Sequence, residues 1–189
     1  MRAEATKKLF TVDEYYKITE AGVFPPDTHT ELINGEILEM SGMGVPYALA
    51  ITRANQLFSE ALKGKVEVRV QLPLPLNDFN EPEPDLCLVH ARREFYETRH
   101  PGPHDVFLVL EISASSLRYD RNVKLPIYAA VGVPEVWIED LAEGALWVYR
   151  EPFGGAYKTS LRLSRGESVC PLAFPDAVFS VEALLGRAE

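Results

Sequence analysis

The chain has 189 residues, of which 47% are hydrophobic and 25% charged, and a formal net charge of −9. Such a length suits one globular domain, able to bury roughly 70% of the surface its unfolded chain exposes without a disulfide or metal staple. No apolar run approaches the ~20 residues of a membrane span and the N-terminal stretch lacks the apolar centre of a signal peptide, while the acidic balance argues against a general nucleic-acid binder but leaves room for a local basic patch.

The first element is announced by Thr11-Val-Asp-Glu14, a capping box in which hydroxyl and carboxylate satisfy each other's backbone amides. It predicts a helix to about Glu20, stopped by Gly22. The stretch ELINGEILEM (31–40) places Asn34-Gly35 between apolar-rich runs, the signature of a type I′ hairpin. From Pro46 to Lys63, Ala50, Ala54, Leu57, Phe58 and Ala61 recur at helical spacing, with Gly64 as the stop. Residues 65–70 alternate strictly and predict a strand with Val66, Val68 and Val70 inward; residues 84–89 predict a second. The almost wholly apolar 106–112 reads as a central strand covered on both faces. A helix is predicted from about Asp120 to Val131, with Pro126 inside it forcing a kink or a late start. Residues 135–140 and 145–150 form a hairpin around Glu143-Gly144; short strands near 157–163 and 168–172 and a Ser180-capped helix over 179–186 complete the chain. This order implies an α/β (α+β) class: one domain over 1–189 with a core at about 46–140. A mixed central sheet is flanked by helices, with an N-terminal hairpin and C-terminal strands added.

Asp85 opens one predicted strand and Glu111 closes the next. If these strands are antiparallel neighbours, the register that pairs 85 with 111 also pairs Val89 with Phe107, and the two carboxylates stand ~5 Å apart on one face. Carboxylates that close repel unless one is protonated or a cation sits between them, and oxygen-only ligation suits Mg²⁺ or Mn²⁺. Taken alone, the pattern is equally that of a strand-end surface residue and a turn residue after Pro84. Glu111, however, ends an apolar run where a charge is costly without a partner. Ser113 faces the same side but cannot supply a cation. Lys124, at the edge of the following helix's apolar stripe near Ile127 and Val131, can lay its stem over the sheet and bring its ammonium to the strand ends; the alternative is an i, i+4 pair with Asp120 on a solvated face.

At these residues the sequence resembles a known family. ELINGE at 31–36, PEPDLCLV at 82–89 and VLEISASSLRYDRNVKLPIYAAVGVPEVWIED at 109–140 look like the Uma-two family, read as bacterial endonucleases of the PD-(D/E)XK superfamily. The resemblance runs from about Thr11 to Tyr149 and implies a restriction-endonuclease-like core. It also implies a DNA substrate, with Asp85 and Glu111 as ligands of Mg²⁺ or Mn²⁺ and Lys124 as the motif lysine displaced onto the next helix. Glu31 becomes an accessory acid. One departure stands out: Tyr47 occupies the position where the family usually carries a histidine. Arg118 and Arg121 flank the site in sequence and are candidates to grip neighbouring phosphates, or else are solvated surface charge.

Several further expectations follow from the chain. Cys87 and Cys170 form no CxxC pair, which suits a reducing, cytoplasmic setting. Cys87, His90, His100 and His104 mimic zinc spacing, but positions 87 and 90 of a strand point to opposite faces. The long stretch from His90 to Asp105 is expected to border the substrate groove. The aromatic C-terminal third (Trp147, Tyr149, Phe153, Tyr157, Phe174, Phe179) either forms a homodimer interface or covers the core sheet. The leading reading is a metal-dependent endonuclease; the competing one, favoured by the acidic charge and Tyr47, is a nuclease-like binding or regulatory module that no longer cuts.

Overall fold

The computed structural model describes residues 6–25, 28–40, 42, 44–92 and 96–186; residues 1–5 of the N-terminal stretch and 93–95 of the long loop lie outside these. Helix α1 (Val12–Glu20) begins as the capping box dictates, with Thr11 Oγ1 accepting the Glu14 N–H and the Glu14 carboxylate accepting the Thr11 N–H. Strands β1 (Thr30–Ile33) and β2 (Glu36–Glu39) turn at Asn34 and Gly35, both at positive φ (52° and 74°) as a type I′ turn requires. Glycine is doubly needed there, because a Cβ on Gly35 would lie 2.7 Å from Leu9 Cβ. The hairpin docks through paired backbone bonds between Leu32 and Glu81, next to the segment that carries Asp85.

Helix α2 (Val45–Ala61) leads into the six-stranded sheet. Its strands are β3 (Val66–Val70), β4 (Leu86–His90), β5 (Val106–Ser113), β6 (Glu135–Asp140), β7 (Ala145–Phe153) and β8 (Ala156–Ser164), adjacent in that order. All neighbours are antiparallel except β5 and β6, which are parallel. A parallel pair needs a crossover. Here it consists of α3 (Leu117–Tyr119), a π-helical turn over Asp120–Lys124 and α4 (Leu125–Ala130). The awkward Pro126 is accommodated in the first turn of α4, directly after that widened turn, where the Leu125 N–H donates to the Asp120 carbonyl. The helical region thus starts earlier than predicted, at Leu117.

Strand β5 is central and covered on both faces. Leu108, Leu110 and Ile112 pack with Ala50, Ala54 and Phe58 of α2. Val109 joins Cys87, Val136, Ile138 and Tyr128 on the other face, beneath α4. The mixed α+β architecture with a central sheet between helices is therefore that expected from the sequence.

Four details differ. A bulge between Leu88 and Val89 shifts the β4–β5 register, so Val89 faces Val106 rather than Phe107. The strand predicted near 168–172 shrinks to β9 (Ser168–Val169), paired with β10 (Phe179–Ser180) ahead of the Ser180-capped α5 (Val181–Leu185). The loop after His90 does not border the site: it joins the ends of β4 and β5 opposite those carrying Asp85 and Glu111, roughly 17 Å along the strand at ~3.3 Å per residue. It is pinned instead by Asp105, which pairs with Arg92 and Arg99. Finally, the C-terminal aromatics are mostly used within the chain. Phe179 packs on Phe58 and Trp137, Phe174 on Phe107 and Tyr149 against Tyr157, leaving Phe153 (70% exposed) as the one largely exposed ring among the six. Their abundance thus supplies no argument for a homodimer.

Candidate active site

The β4–β5 register sets Leu86 opposite Leu110, which brings Asp85, one residue before β4, beside Glu111. The crossover then carries Lys124 over the same face, so that three side chains far apart in sequence meet at one sheet end. Lys124 Nζ lies 2.9 Å from Glu31 Oε2 and 3.4 Å from Glu111 Oε1, with all three residues almost fully buried. The solvated pair with Asp120 is not what forms; the ammonium is shared by two acids from β1 and β5.

Each carboxylate is held in place. Asp85 Oδ2 accepts the Ile112 N–H at 2.7 Å and Oδ1 accepts from the Tyr47 hydroxyl. Gln71, across from Asp85 at the end of β3, donates to the same Oδ1 at 3.4 Å. Glu111 Oε1 accepts from the Tyr128 hydroxyl at 2.6 Å. Asp120 is buried on the π-helical turn and accepts from Ser116 Oγ at 2.7 Å; Ser116 also donates to Ser113 Oγ. These residues line or adjoin a cavity of about 390 Å³ walled by Glu31, Tyr47, Asp85, Glu111, Asp120 and Lys124, with Leu38, Met40 and the 114–116 loop towards its mouth.

The site is short of positive charge. Burial, then the charge of Glu111, pushes the Asp85 carboxyl up to about 7. Asp120 rises to about 7 for the same two reasons. Burial also raises Glu31, against the pull of Lys124. For Lys124 itself, burial favours the neutral amine, but Glu111 and Glu31 outweigh it and hold the ammonium charged. Carboxylates titrating this high at a cavity wall are what a missing cation leaves behind.

Among the described residues no three Asp, Glu, His or Cys side chains are grouped as a metal cage. Asp85 and Glu111 suit a smaller demand: a hard cation that keeps several waters and takes only one or two carboxylates from the protein. The other sequence candidates fall elsewhere. Arg118 is exposed. Arg121 stacks over the Trp147 ring at 4.3 Å and is not part of the cavity wall. His90 stacks against Phe107 at 4.2 Å.

Three residues at the site carry no strong sequence signal. Tyr128 is one helical turn beyond Lys124, on the face that covers Glu111, and that i, i+4 spacing was its only mark. Gln71 lies at positive φ (48°) past the end of β3 and is placed by the register alone. Tyr119 lines the cavity with a buried hydroxyl that has no hydrogen-bond partner.

With this geometry in view, comparison with known proteins is informative. The model of the Uma2 (Uma-two) family, described as "Putative restriction endonuclease", matches residues 12–182. The chain belongs to the Uma2 family. A solved structure from Anabaena variabilis ATCC 29413, described as "a putative nuclease belonging to DUF820", superposes with a TM-score of 0.71 at 16% identity, covering 93% of this chain and 97% of that one. That likeness establishes a shared fold. No curated protein matches the chain. Among the described residues no helix is long and apolar enough to cross a membrane.

Proposed function

We propose that this Uma2 chain is a Mg²⁺- or Mn²⁺-dependent endonuclease that hydrolyses DNA phosphodiester bonds, with Asp85 and Glu111 holding the metal. The observation that carries the reading is the meeting of Asp85, Glu111 and Lys124 at the wall of one acidic cavity. The family description supports a DNA substrate. When bound, the metal supplies Lewis acidity towards the phosphodiester and lowers the pKa of a coordinated water.

The chain's own residues prepare the rest. Ile112 N–H and Tyr47 fix the orientation of Asp85, and Tyr128 fixes Glu111, so neither carboxylate has to be ordered when the substrate arrives. Lys124 remains an ammonium because Glu31 and Glu111 flank it, and it can stabilise charge that grows on the phosphate or the attacking oxygen.

One observation favours a second reading. The Tyr47 hydroxyl sits on Asp85 Oδ1, a position a metal would want, in a chain where the family's usual histidine is replaced. A nuclease-like module that binds but does not cut would tolerate this. Incubation of plasmid and single-stranded DNA with and without Mg²⁺ or Mn²⁺, using Glu111→Gln as control, decides. Metal-dependent cleavage lost in E111Q supports the nuclease. No cleavage, with a melting temperature that neither metal raises, supports the module.

A further inference from the structure

If the chain is such a nuclease, the depth of the site constrains the form of its DNA. Asp85, Glu111 and Lys124 are 5%, 3% and 3% exposed. The cavity they line, about 390 Å³, lies within the ~300–1,000 Å³ typical of small-molecule sites. A stacked duplex can lay its phosphates against a surface, but it cannot follow them into a recess of that volume.

Charge points the same way. The cavity wall carries Glu31, Glu39, Glu83, Asp85, Glu111 and Asp120 against one described cation, Lys124, which is already shared by two acids. Duplex binders neutralise several phosphates at once with Lys and Arg. Here Arg121 stacks on Trp147, Arg53 donates to the Leu184 carbonyl, and Arg69, Arg92 and Arg99 crowd the Tyr96 ring at the far end of the sheet. What the cavity offers is an apolar and aromatic wall formed by Leu38, Met40, Tyr47 and Ile112. Such a wall suits the face of an unstacked base, the sequence-tolerant contact by which single strands are held.

We propose that the substrate is unpaired DNA, either single-stranded or locally opened within a duplex. One nucleotide enters the cavity and carries its phosphate down to Lys124. This rests on the nuclease reading, and the test separates the two. One labelled oligonucleotide is presented as a single strand, as a fully paired duplex and as a duplex with a central unpaired bubble, each with Mg²⁺ and with Mn²⁺. The single strand and the bubble are expected to be cut, the bubble within its unpaired segment. The duplex is expected to be cut about a hundredfold more slowly, since opening two base-pair steps costs about a factor of ten each. A duplex cut as fast as the single strand overturns the inference and leaves the nuclease reading intact. No cleavage of any form, or cleavage retained by E111Q, overturns the nuclease reading and the inference together.

Discussion

Glu139 is fully buried on β6, and neither of its carboxylate oxygens has a hydrogen-bond partner. Burial pushes its pKa from the ordinary 4.5 up to about 8, with Asp85 adding to the rise and Arg53 opposing it. The folded chain therefore keeps a proton that the unfolded chain releases between those two values. Where the folded state binds more protons, stability falls as pH rises. The contribution of Glu139 is thus greatest below about 4.5 and is lost progressively up to about 8. Each pH unit inside that window costs about 1.4 kcal/mol, so moving from about pH 5 to about pH 7 removes roughly 3 kcal/mol. That is a large part of a typical ~5–15 kcal/mol stability. Glu139→Gln keeps the shape of the neutral acid and abolishes the proton uptake. Asp85 and Asp120, also raised to about 7, tilt wild type and variant alike, so the difference between the two isolates residue 139. Urea denaturation followed by circular dichroism at several pH values measures it. The variant should gain on the wild type by roughly 3 kcal/mol between about pH 5 and about pH 7. Parallel stability curves would refute the reasoning and would mean that Glu139 has a hidden partner for its charge.

Glu111→Gln should nearly abolish Mn²⁺ binding in calorimetry while the circular dichroism spectrum stays unchanged; equal affinity in both proteins would remove Glu111 from the metal site. Lys124→Met leaves Glu31 and Glu111 buried without their ammonium and should destabilise the fold by about 3–5 kcal/mol. Adding Glu31→Gln to K124M should restore part of that loss, and strictly additive effects in the double-mutant cycle would deny the pairing. Thr11→Ala removes the oxygen that accepts the Glu14 amide and should cost about 1 kcal/mol in thermal or urea unfolding.

The elements most legible in the sequence are those whose signal is local. The capping box at Thr11, the Asn34-Gly35 turn and the alternation of β3 each carry their cause within a few residues, and each appears where expected. The pairing of Asp85 with Glu111 was legible because strand ends fix a register. It survives the bulge at Leu88/Val89 only because that irregularity falls on the far side of the pair. What stayed hidden depends on contacts across the fold. Which acid shares Lys124 is decided by the docking of β1 beside Glu81, a contact fifty residues apart that no periodicity reports. The course of the long loop was misjudged because length suggests a functional role but does not say at which end of a sheet the loop emerges. Tyr119 and Tyr128 read as ordinary helical aromatics until the crossover sets them over Glu111.

The widened turn over Asp120–Lys124 makes the spacing between Asp120 and Lys124 a matter of phase. A regular α-helix advances about 100° per residue, so trimming a single residue such as Asn122 would let the segment relax into a uniform spiral. Lys124 would then swing by about that angle away from Glu31 and Glu111. The helix would gain better geometry, and the chain would lose the one cation on the cavity wall. An irregularity that a stability-minded engineer would smooth out is what aims Lys124, so improvement of this helix and retention of the site are opposed goals.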